Sequence, residues 1–225
     1  MAKKILIACE ESQAITKEFR ALGYEAYSCD LLPASGGFPE WHIQGDAIAE
    51  AYSGKYDLMV AHPPCTYLAV SGNRWLYNKD GSRNEERYKA QAEALDFVRV
   101  LMQAPIKHIA LENPVSVISS KIRKPEQIIQ PWQFGDEAQK TTCLWLKNLP
   151  KLEHTKIVDK GRFWEFTSKK GKKKRFSKWY TDALTKAKTP EQRRTLRSKT
   201  FPGIAKAVAA QWSKALEDNY CETLL

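Results

Sequence analysis

Short apolar segments alternate with longer segments of helical periodicity along most of this chain. Buried strands are predicted for KKILIA (3–8), YEAYSCD (24–30), YDLMVAH (56–62) and IKHIALEN (106–113), and a strand followed by a turn for KTTCLWLKNLP. Helices are predicted for SQAITKEFRALG, which begins at Ser12, for NEERYKAQAEALDFVRVLMQA and for GIAKAVAAQWSKALE. Strands and helices that alternate in this order predict an α/β fold with a largely parallel, doubly wound sheet.

Composition excludes several classes of protein. The chain is 43% hydrophobic and 28% charged, as ordinary globular proteins are. No stretch approaches the roughly 18 consecutive apolar residues of a membrane span, so we expect no membrane contact. The five cysteines are odd in number and form no C-x-x-C pair, which predicts reduced thiols and no metal site. We therefore expect a cytoplasmic protein, and a monomer in preference to an oligomer.

Positive charge is concentrated in residues 151–200, which hold 17 Lys and Arg against 5 Asp and Glu, a net charge of +12. The whole chain carries +10, so the other residues sum to −2. Aromatic residues lie between the cations in RFWEFTSKKGKKKRFSKWY, so the segment can pair with phosphates and stack on bases. A solvent-exposed hairpin with a lysine-rich turn is the alternative. The candidate nucleic-acid contacts are Lys172, Lys173, Lys174, Arg175 and Trp179, with Arg74 outside the segment.

Two reactive side chains follow predicted strands, at the sheet edge where ligands of parallel sheets bind. Pro63 and Pro64 cannot donate to a sheet ladder, so the strand stops there and Cys65 is held at its carboxyl end. Cys65 is a candidate nucleophile, and a small apolar residue at a bend is the alternative. Glu112 ends a later apolar strand, where burial should raise its pKa and keep it protonated, unless it forms a structural salt bridge.

Two aspartates are candidates for a nucleotide-like ligand. Asp30 lies about 20 residues after the first strand, where a carboxylate commonly accepts hydrogen bonds from a ribose. Asp46, in IQGDAIAE, could bind an adenine amino group. Each has a local alternative, because aspartate also caps turns and helix amino termini.

These motifs, taken together, resemble a known family. HPPC at the end of one strand and ENP at the end of a later one resemble the Pro-Cys and Glu-Asn signatures of DNA cytosine-5 methyltransferases. The chain is most similar to small phage and prophage proteins described as C5 cytosine-specific DNA methyltransferases. That resemblance covers most of the chain, through SCDLLPASGG, YDLMVAHPPCTYLAVSGNRWL, IALENPVSVISSKIRKPEQIIQPWQFGDEAQKTTCLWLKNLPKL and SKTFPGIAKAVAAQW.

The resemblance implies a Rossmann-like class I fold that uses S-adenosylmethionine, DNA as partner, and the host cytoplasm as location if a phage encodes the chain. It implies a catalytic domain over 1–150, a short basic DNA-contacting insertion over 151–200, and a terminal helix over 201–225 that packs back on the domain. Cys65 would add to C6 of cytosine, and Glu112 would hydrogen-bond the N3 edge. The implied cofactor-binding residues are Glu10, Asp30, Asp46, Pro64, Phe201, Pro202 and Gly203.

The sequence also departs from the family. The first loop, in IACEESQAI, has no glycine, and neither a Gln-Arg-Arg motif nor a large target-recognition domain is evident. Recognition would therefore use a short code or be nearly unspecific. Two alternatives remain: an amino methyltransferase acting on cytosine N4 or adenine N6, and a non-catalytic DNA-binding protein with a methyltransferase fold.

Overall fold

A seven-stranded sheet lies at the centre of the protein in a computed structural model that describes residues 3–168 and 171–217. Its spatial strand order is 3-2-1-4-5-7-6. The seventh strand runs in the opposite direction to the other six. The predicted Rossmann-like α/β fold is thereby confirmed. The strands are β1 (Lys4–Ala8), β2 (Glu25–Asp30), β3 (His42–Gln44), β4 (Leu58–Ala61), β5 (His108–Pro114), β6 (Gln127–Ile129) and β7 (Thr142–Lys147).

Helices cover both faces of this sheet. Ile5 and Ile7 of β1 point to a core that includes Trp212, while Leu6 points to an opposite core that includes Leu101. None of the helices within the described residues is long and apolar enough to span a membrane. The helices are α1 (Ala14–Ala21), α2 (Ala47–Ala51), α3 (Glu85–Met102), α4 (Ile118–Lys121), α5 (Lys178–Lys186), α6 (Pro190–Ser198) and α7 (Pro202–Glu217), with 3-10 turns at Pro39–Trp41, Val70–Leu76 and Pro131–Gln133.

The start of α1 differs from the sequence-based prediction. Ser12 does not begin the helix; Gln13 precedes its first residue with a φ of 57°. The buried Glu10 carboxylate instead accepts hydrogen bonds from the backbone N–H of Ile15 at 2.7 Å and the hydroxyl of Thr16 at 2.7 Å. A carboxylate here satisfies free N–H groups and opposes the positive end of the helix dipole.

The loop after β2 packs against the loop between β1 and α1. The backbone N–H of Ser35 donates to the Glu11 carbonyl at 2.8 Å, and the Gln13 amide both donates to and accepts from the Phe38 backbone. Gly36 permits this approach, since a Cβ there would lie 2.5 Å from a backbone oxygen of the first loop. The loop PASGGFP (33–39) is therefore held by specific contacts.

The basic segment forms elements that are separate from the central sheet. Strands β8 (Phe163–Thr167) and β9 (Lys173–Ser177) make an antiparallel hairpin, followed by α5 and α6. The hairpin anticipated as one interpretation of this segment is therefore present. The division of the chain at residues 150 and 200 stays a prediction, and the last residues, with Cys221, lie outside the described residues.

Candidate active site

The carboxyl ends of β4 and β5 bring a histidine and a glutamate together. Ala61 pairs with Leu111 in the parallel register, so the next residues, His62 and Glu112, are neighbours across the two strands. His62 Nδ1 lies 3.1 Å from Glu112 Oε2. Their side chains are only 14% and 21% exposed, so solvent screens this contact weakly.

The charge state of Glu112 differs from the prediction. Burial alone would raise its pKa, but the hydrogen bond from His62, the charge of Lys140 and the charge of His62 together lower the pKa below its ordinary value. The expected raised pKa is therefore wrong for the ligand-free protein, because the sequence could not show which cations face the carboxyl. Glu112 is a carboxylate at neutral pH.

The turn that carries Cys65 is held by side chains from two other elements. Asn113 Nδ2, in β5, donates to the carbonyl of Pro63 at 2.9 Å. Gln91 Nε2, in α3, donates to the carbonyl of Tyr67 at 2.9 Å. Carbonyls on both sides of the cysteine are therefore bound to regular structure, which fixes the position of the thiol relative to β5.

Cys65 is exposed at the surface, yet its thiol lies in a field set by neighbouring groups. Partial burial of the thiol and the charge of Glu112 raise its pKa, whereas Lys140 and Arg197 act to lower it. The net direction is upward, so Cys65 is a thiol at neutral pH. The charge of Glu112 acts on Cys65, so the two candidate catalytic groups lie near each other.

A cleft lies beside His62 and Glu112, and its volume of about 430 Å³ includes open solvent. Its lining is mostly apolar, with side chains from α1, β4, β5, β7 and α7, and it includes the polar groups of His62, Glu112 and Lys140. His62 Nε2 is buried and makes no hydrogen bond to the described part of the chain. The lining residues are Ile15, Val60, His62, Ala110, Glu112, Lys140, Thr142, Leu144, Thr200, Phe201, Ile204, Val208 and Trp212.

Comparison with known proteins finds similarity only among solved structures, and it is distant. No family model matches the sequence, and no curated protein matches it. A solved structure of a Spodoptera frugiperda DNMT2 mutant is similar over 70% of this chain, at 14% identity and a TM-score of 0.40. The chain spans 55% of the length of that protein.

The charges of Asp30 and Asp46 both act on the Cys9 thiol. Asp30 Oδ1 accepts from the backbone N–H of Leu32 at 2.9 Å, and Asp46 caps α2 by accepting from the N–H of Ile48 at 2.8 Å. Burial first, and then the charges of Asp30, Cys29 and Asp46, raise the pKa of Cys9 to about 12. Both aspartates therefore make the local contacts considered as alternatives, yet they still converge at the carboxyl ends of β1 and β2.

The other cofactor candidates lie in different surroundings. Glu10 is buried and bonded to the start of α1, whereas Pro64 is exposed in the Cys65 turn. Phe201 lines the cleft, and Pro202 is the exposed first residue of α7. At Gly203 a Cβ would lie 1.9 Å from the carbonyl oxygen of the Phe134 backbone, and its N–H donates to Asp136 Oδ2 at 2.8 Å. Gly203 therefore has a packing role, which permits α7 to begin against the loop after β6.

The candidate DNA contacts lie in two regions. Residues 172–175 belong to the exposed hairpin, where Arg175 lies over the ring of Phe163. Trp179 is half-buried, and its indole N–H donates to the Gln139 carbonyl at 2.7 Å. This hydrogen bond joins α5 to the loop that precedes β7. Arg74 is exposed on the 3-10 turn after Cys65, over the ring of Trp75.

Sequence reasoning missed two members of this site. His62 stands in the HPPC motif without an assigned role, and its neighbour Glu112 is far away in the chain. Lys140 belongs to no motif and reaches the site because β7 returns beside β5. Within residues 3–168 and 171–217, no group of three His, Cys, Asp or Glu side chains is arranged to hold a metal ion.

Proposed function

We propose that this protein transfers a methyl group from S-adenosylmethionine to C5 of cytosine in DNA, with Cys65 as the nucleophile. One observation carries the proposal. An exposed cysteine on an anchored turn lies close enough to Glu112, in the neighbouring strand β5, for the carboxylate to raise the pKa of the thiol, and Glu112 also lines an apolar cleft. These two groups supply the nucleophile and the hydrogen-bonding acid that addition to cytosine requires.

The proposed reaction uses the Cys65 thiolate and restores it at the end. The Cys65 thiolate forms a bond to C6, and the electron pair of the C5–C6 double bond becomes available at C5. When bound, the cofactor would supply a methyl group on a positively charged sulfur, which would keep the electron pair of the broken S–CH3 bond and leave as a neutral thioether. After C5 has accepted that methyl group, the C5 proton leaves to water, the double bond forms again, and the bond from Cys65 to C6 breaks to release the thiolate. Glu112 holds the proton at N3 that offsets charge on the ring.

The scheme requires the protonation states of Cys65 and Glu112 to be exchanged. In the ligand-free protein the pair is a thiol and a carboxylate. Moving one proton from Cys65 to Glu112 produces the thiolate and the carboxylic acid together, so no external proton is needed. Neutralising Glu112 also removes a charge that raises the pKa of Cys65. Each change therefore favours the other.

Asp30 and Asp46 support the assignment of the cofactor. The two carboxylates converge on the end of β1, and each commits its Oδ1 atom to a local N–H. The other oxygen of each can accept from a ribose hydroxyl or an adenine amino group. Phe201 and the apolar lining of the cleft suit the uncharged part of the ligand. Glu10 serves α1 from a buried position, so we propose that it shapes the first loop rather than contacting the cofactor.

The basic segment supports DNA as the substrate. Its net charge of +12 is set against −2 for the rest of the chain. The charge of Arg197, in α6, acts to lower the pKa of Cys65, which supports a position of this segment near the proposed nucleophile. DNA bound to the segment would therefore lie beside Cys65.

The proposal is tested by incubating the protein with methyl-labelled S-adenosylmethionine and DNA of mixed sequence. Digestion of the product to nucleosides should place the label in 5-methyldeoxycytidine. Label in N4-methyldeoxycytidine or N6-methyldeoxyadenosine would instead identify an amino methyltransferase. DNA binding without any labelled nucleoside would identify a non-catalytic protein.

Alanine at Lys172, Lys173, Lys174 and Arg175 together should weaken DNA binding and flatten its dependence on salt. The log–log slope should fall by about 0.9 for each phosphate that the variant no longer neutralises on duplex DNA, and by about 0.7 on single strands. The measurement is a titration by fluorescence anisotropy at several salt concentrations. Lys107→Ala is the control, because this exposed lysine precedes β5 and so lies at the amino ends of the parallel strands, opposite the candidate active site. An unchanged slope in the fourfold variant would show that the hairpin binds no phosphates.

A further inference from the structure

One face of the β8–β9 hairpin carries three exposed aromatic rings. Trp164 is paired with Phe176, and Phe166 with Lys174, so these four side chains share a face. Trp164, Phe166 and Phe176 are 58%, 48% and 39% exposed. Aromatic rings that belong to a hydrophobic core are buried, whereas these three rings are in contact with water. We call the face formed by these four residues the aromatic face.

The opposite face of the hairpin is different. Arg175 lies 3.5 Å over the ring of Phe163 and 3.7 Å from the carboxylate of Glu165. Thr167 and Lys173 complete that face. Its one aromatic ring is already stacked on a guanidinium, so free ring surface is confined to the aromatic face.

The rings of the aromatic face continue to the cleft. Phe166 stacks on Phe176 at 5.6 Å between centroids, and Phe176 stacks on Tyr180 at 6.1 Å, both with planes 18° apart. Trp179 contacts Tyr180 and also Phe201, at 6.0 Å and 5.3 Å. Since Phe201 lines the cleft, a continuous series of rings leads from the hairpin to the candidate active site.

We infer that the aromatic face binds an unpaired strand of DNA by stacking on its bases, and that single-stranded DNA is the preferred substrate form. This inference rests on the proposed function, since it names the form of DNA that reaches the cleft. The bases of a duplex are stacked on each other and present no free face to a protein ring. Unpaired bases do, and aromatic side chains in a cationic setting are typical of single-strand binding.

Spacing and charge favour the same occupant. Trp164 and Phe166 are two residues apart on one strand, about 7 Å, which is twice the rise of about 3.4 Å between stacked bases in a duplex. The two rings therefore match bases that have been separated from each other. Lys174 lies on the same face, within a segment of net charge +12, so phosphates can be neutralised where the bases stack.

The test compares a fluorescent single strand of about 16 nucleotides, the upper size of such sites, with its duplex, by anisotropy and without S-adenosylmethionine. The double variant Trp164→Ala with Phe166→Ala should bind the single strand at least about tenfold more weakly, a loss of about 1.4 kcal/mol, since it removes two rings that stack on bases. Duplex affinity should change by less than about twofold, because paired bases do not stack on the rings.

Two controls separate the loss of stacking from a damaged hairpin. Trp164→Phe with Phe166→Tyr keeps both rings and should stay within about threefold of the wild-type affinity for the single strand. Thr167→Ala, on the opposite face, should leave both affinities unchanged. The salt slope should be the same in all of these variants, because none removes a cation.

Three outcomes would overturn the inference. They are equal wild-type affinity for the single strand and the duplex, equal binding by the ring-removing and ring-keeping variants, and a dimer that the ring-removing variant dissociates. The last result would assign the aromatic face to a second copy of the chain. If the wild type transfers methyl groups and the ring-removing variant binds the single strand as tightly as the wild type does, only this inference is rejected. Loss of single-strand binding in that variant, with no methyl transfer by the wild type, would reject only the proposed function.

Discussion

Replacement of Cys65 by alanine should abolish methyl transfer to DNA. Removing a covalent nucleophile lowers a rate by factors on the order of 10⁴ to 10⁶. The same variant should form no adduct with DNA that carries 5-fluorocytosine. In the wild type, fluorine at C5 leaves no proton to release after transfer, so the bond between Cys65 and C6 persists. Denaturing gel electrophoresis would detect that adduct, and it should require S-adenosylmethionine to accumulate.

Cys143→Ala is the matched control for this experiment. Cys143 is buried in β7, and both burial and the charge of Glu112 raise its pKa, so it lies near the same carboxylate but is covered. This variant should keep the adduct and the methyl transfer. Activity that persists in Cys65→Ala would contradict the covalent mechanism and favour direct attack by an exocyclic amino group, which needs no thiol.

Glu112→Gln should slow methyl transfer and make Cys65 more reactive as a thiol. An amide can donate a hydrogen bond but cannot take up and release a proton, so the rate should fall by about 10² to 10⁴. The charge of Glu112 raises the pKa of Cys65, so its removal lowers that pKa. The thiolate is the form that alkylates. The pH profile for alkylation by iodoacetamide should therefore shift to lower pH.

These two effects of Glu112→Gln have opposite signs, which excludes general damage to the site as their cause. The alkylation is measured in a Cys221→Ser background, and Cys65→Ser in that background identifies the signal from Cys65. Glu93→Gln, an exposed change on α3, should alter neither rate. A higher pKa of Cys65 in the Glu112 variant, or unchanged methyl transfer, would contradict the proposed pairing of the two groups.

The regular elements with strong periodicity were predicted well. The first strand, predicted over 3–8, is Lys4–Ala8, and the closing helix, predicted from Gly203, begins one residue earlier at Pro202. In these segments the burial pattern follows the apolar pattern closely. Strands β3 and β6 were missed, because three residues are too few to show a period and their place depends on neighbouring strands.

The candidate site was anticipated in its motifs and misjudged in its electrostatics. Proline positions predicted where β4 ends and where Cys65 follows. The pKa of Glu112 could not be predicted, since it depends on His62 and Lys140, which join it only in the folded protein. Gly203 has a packing role that depends on the backbone at Phe134.

Local features of the sequence were sufficient to predict the α/β class, the strand ends that carry Cys65 and Glu112, and the concentration of charge in residues 151–200. These features depend on apolar periodicity, proline stereochemistry and residue counts, which are local properties. The ionised state of Glu112 beside His62 and Lys140, and the shared face of three aromatic rings, became evident only in the folded protein. Those outcomes depend on distances between residues far apart in the chain, and such distances exist only after the strands have paired in register.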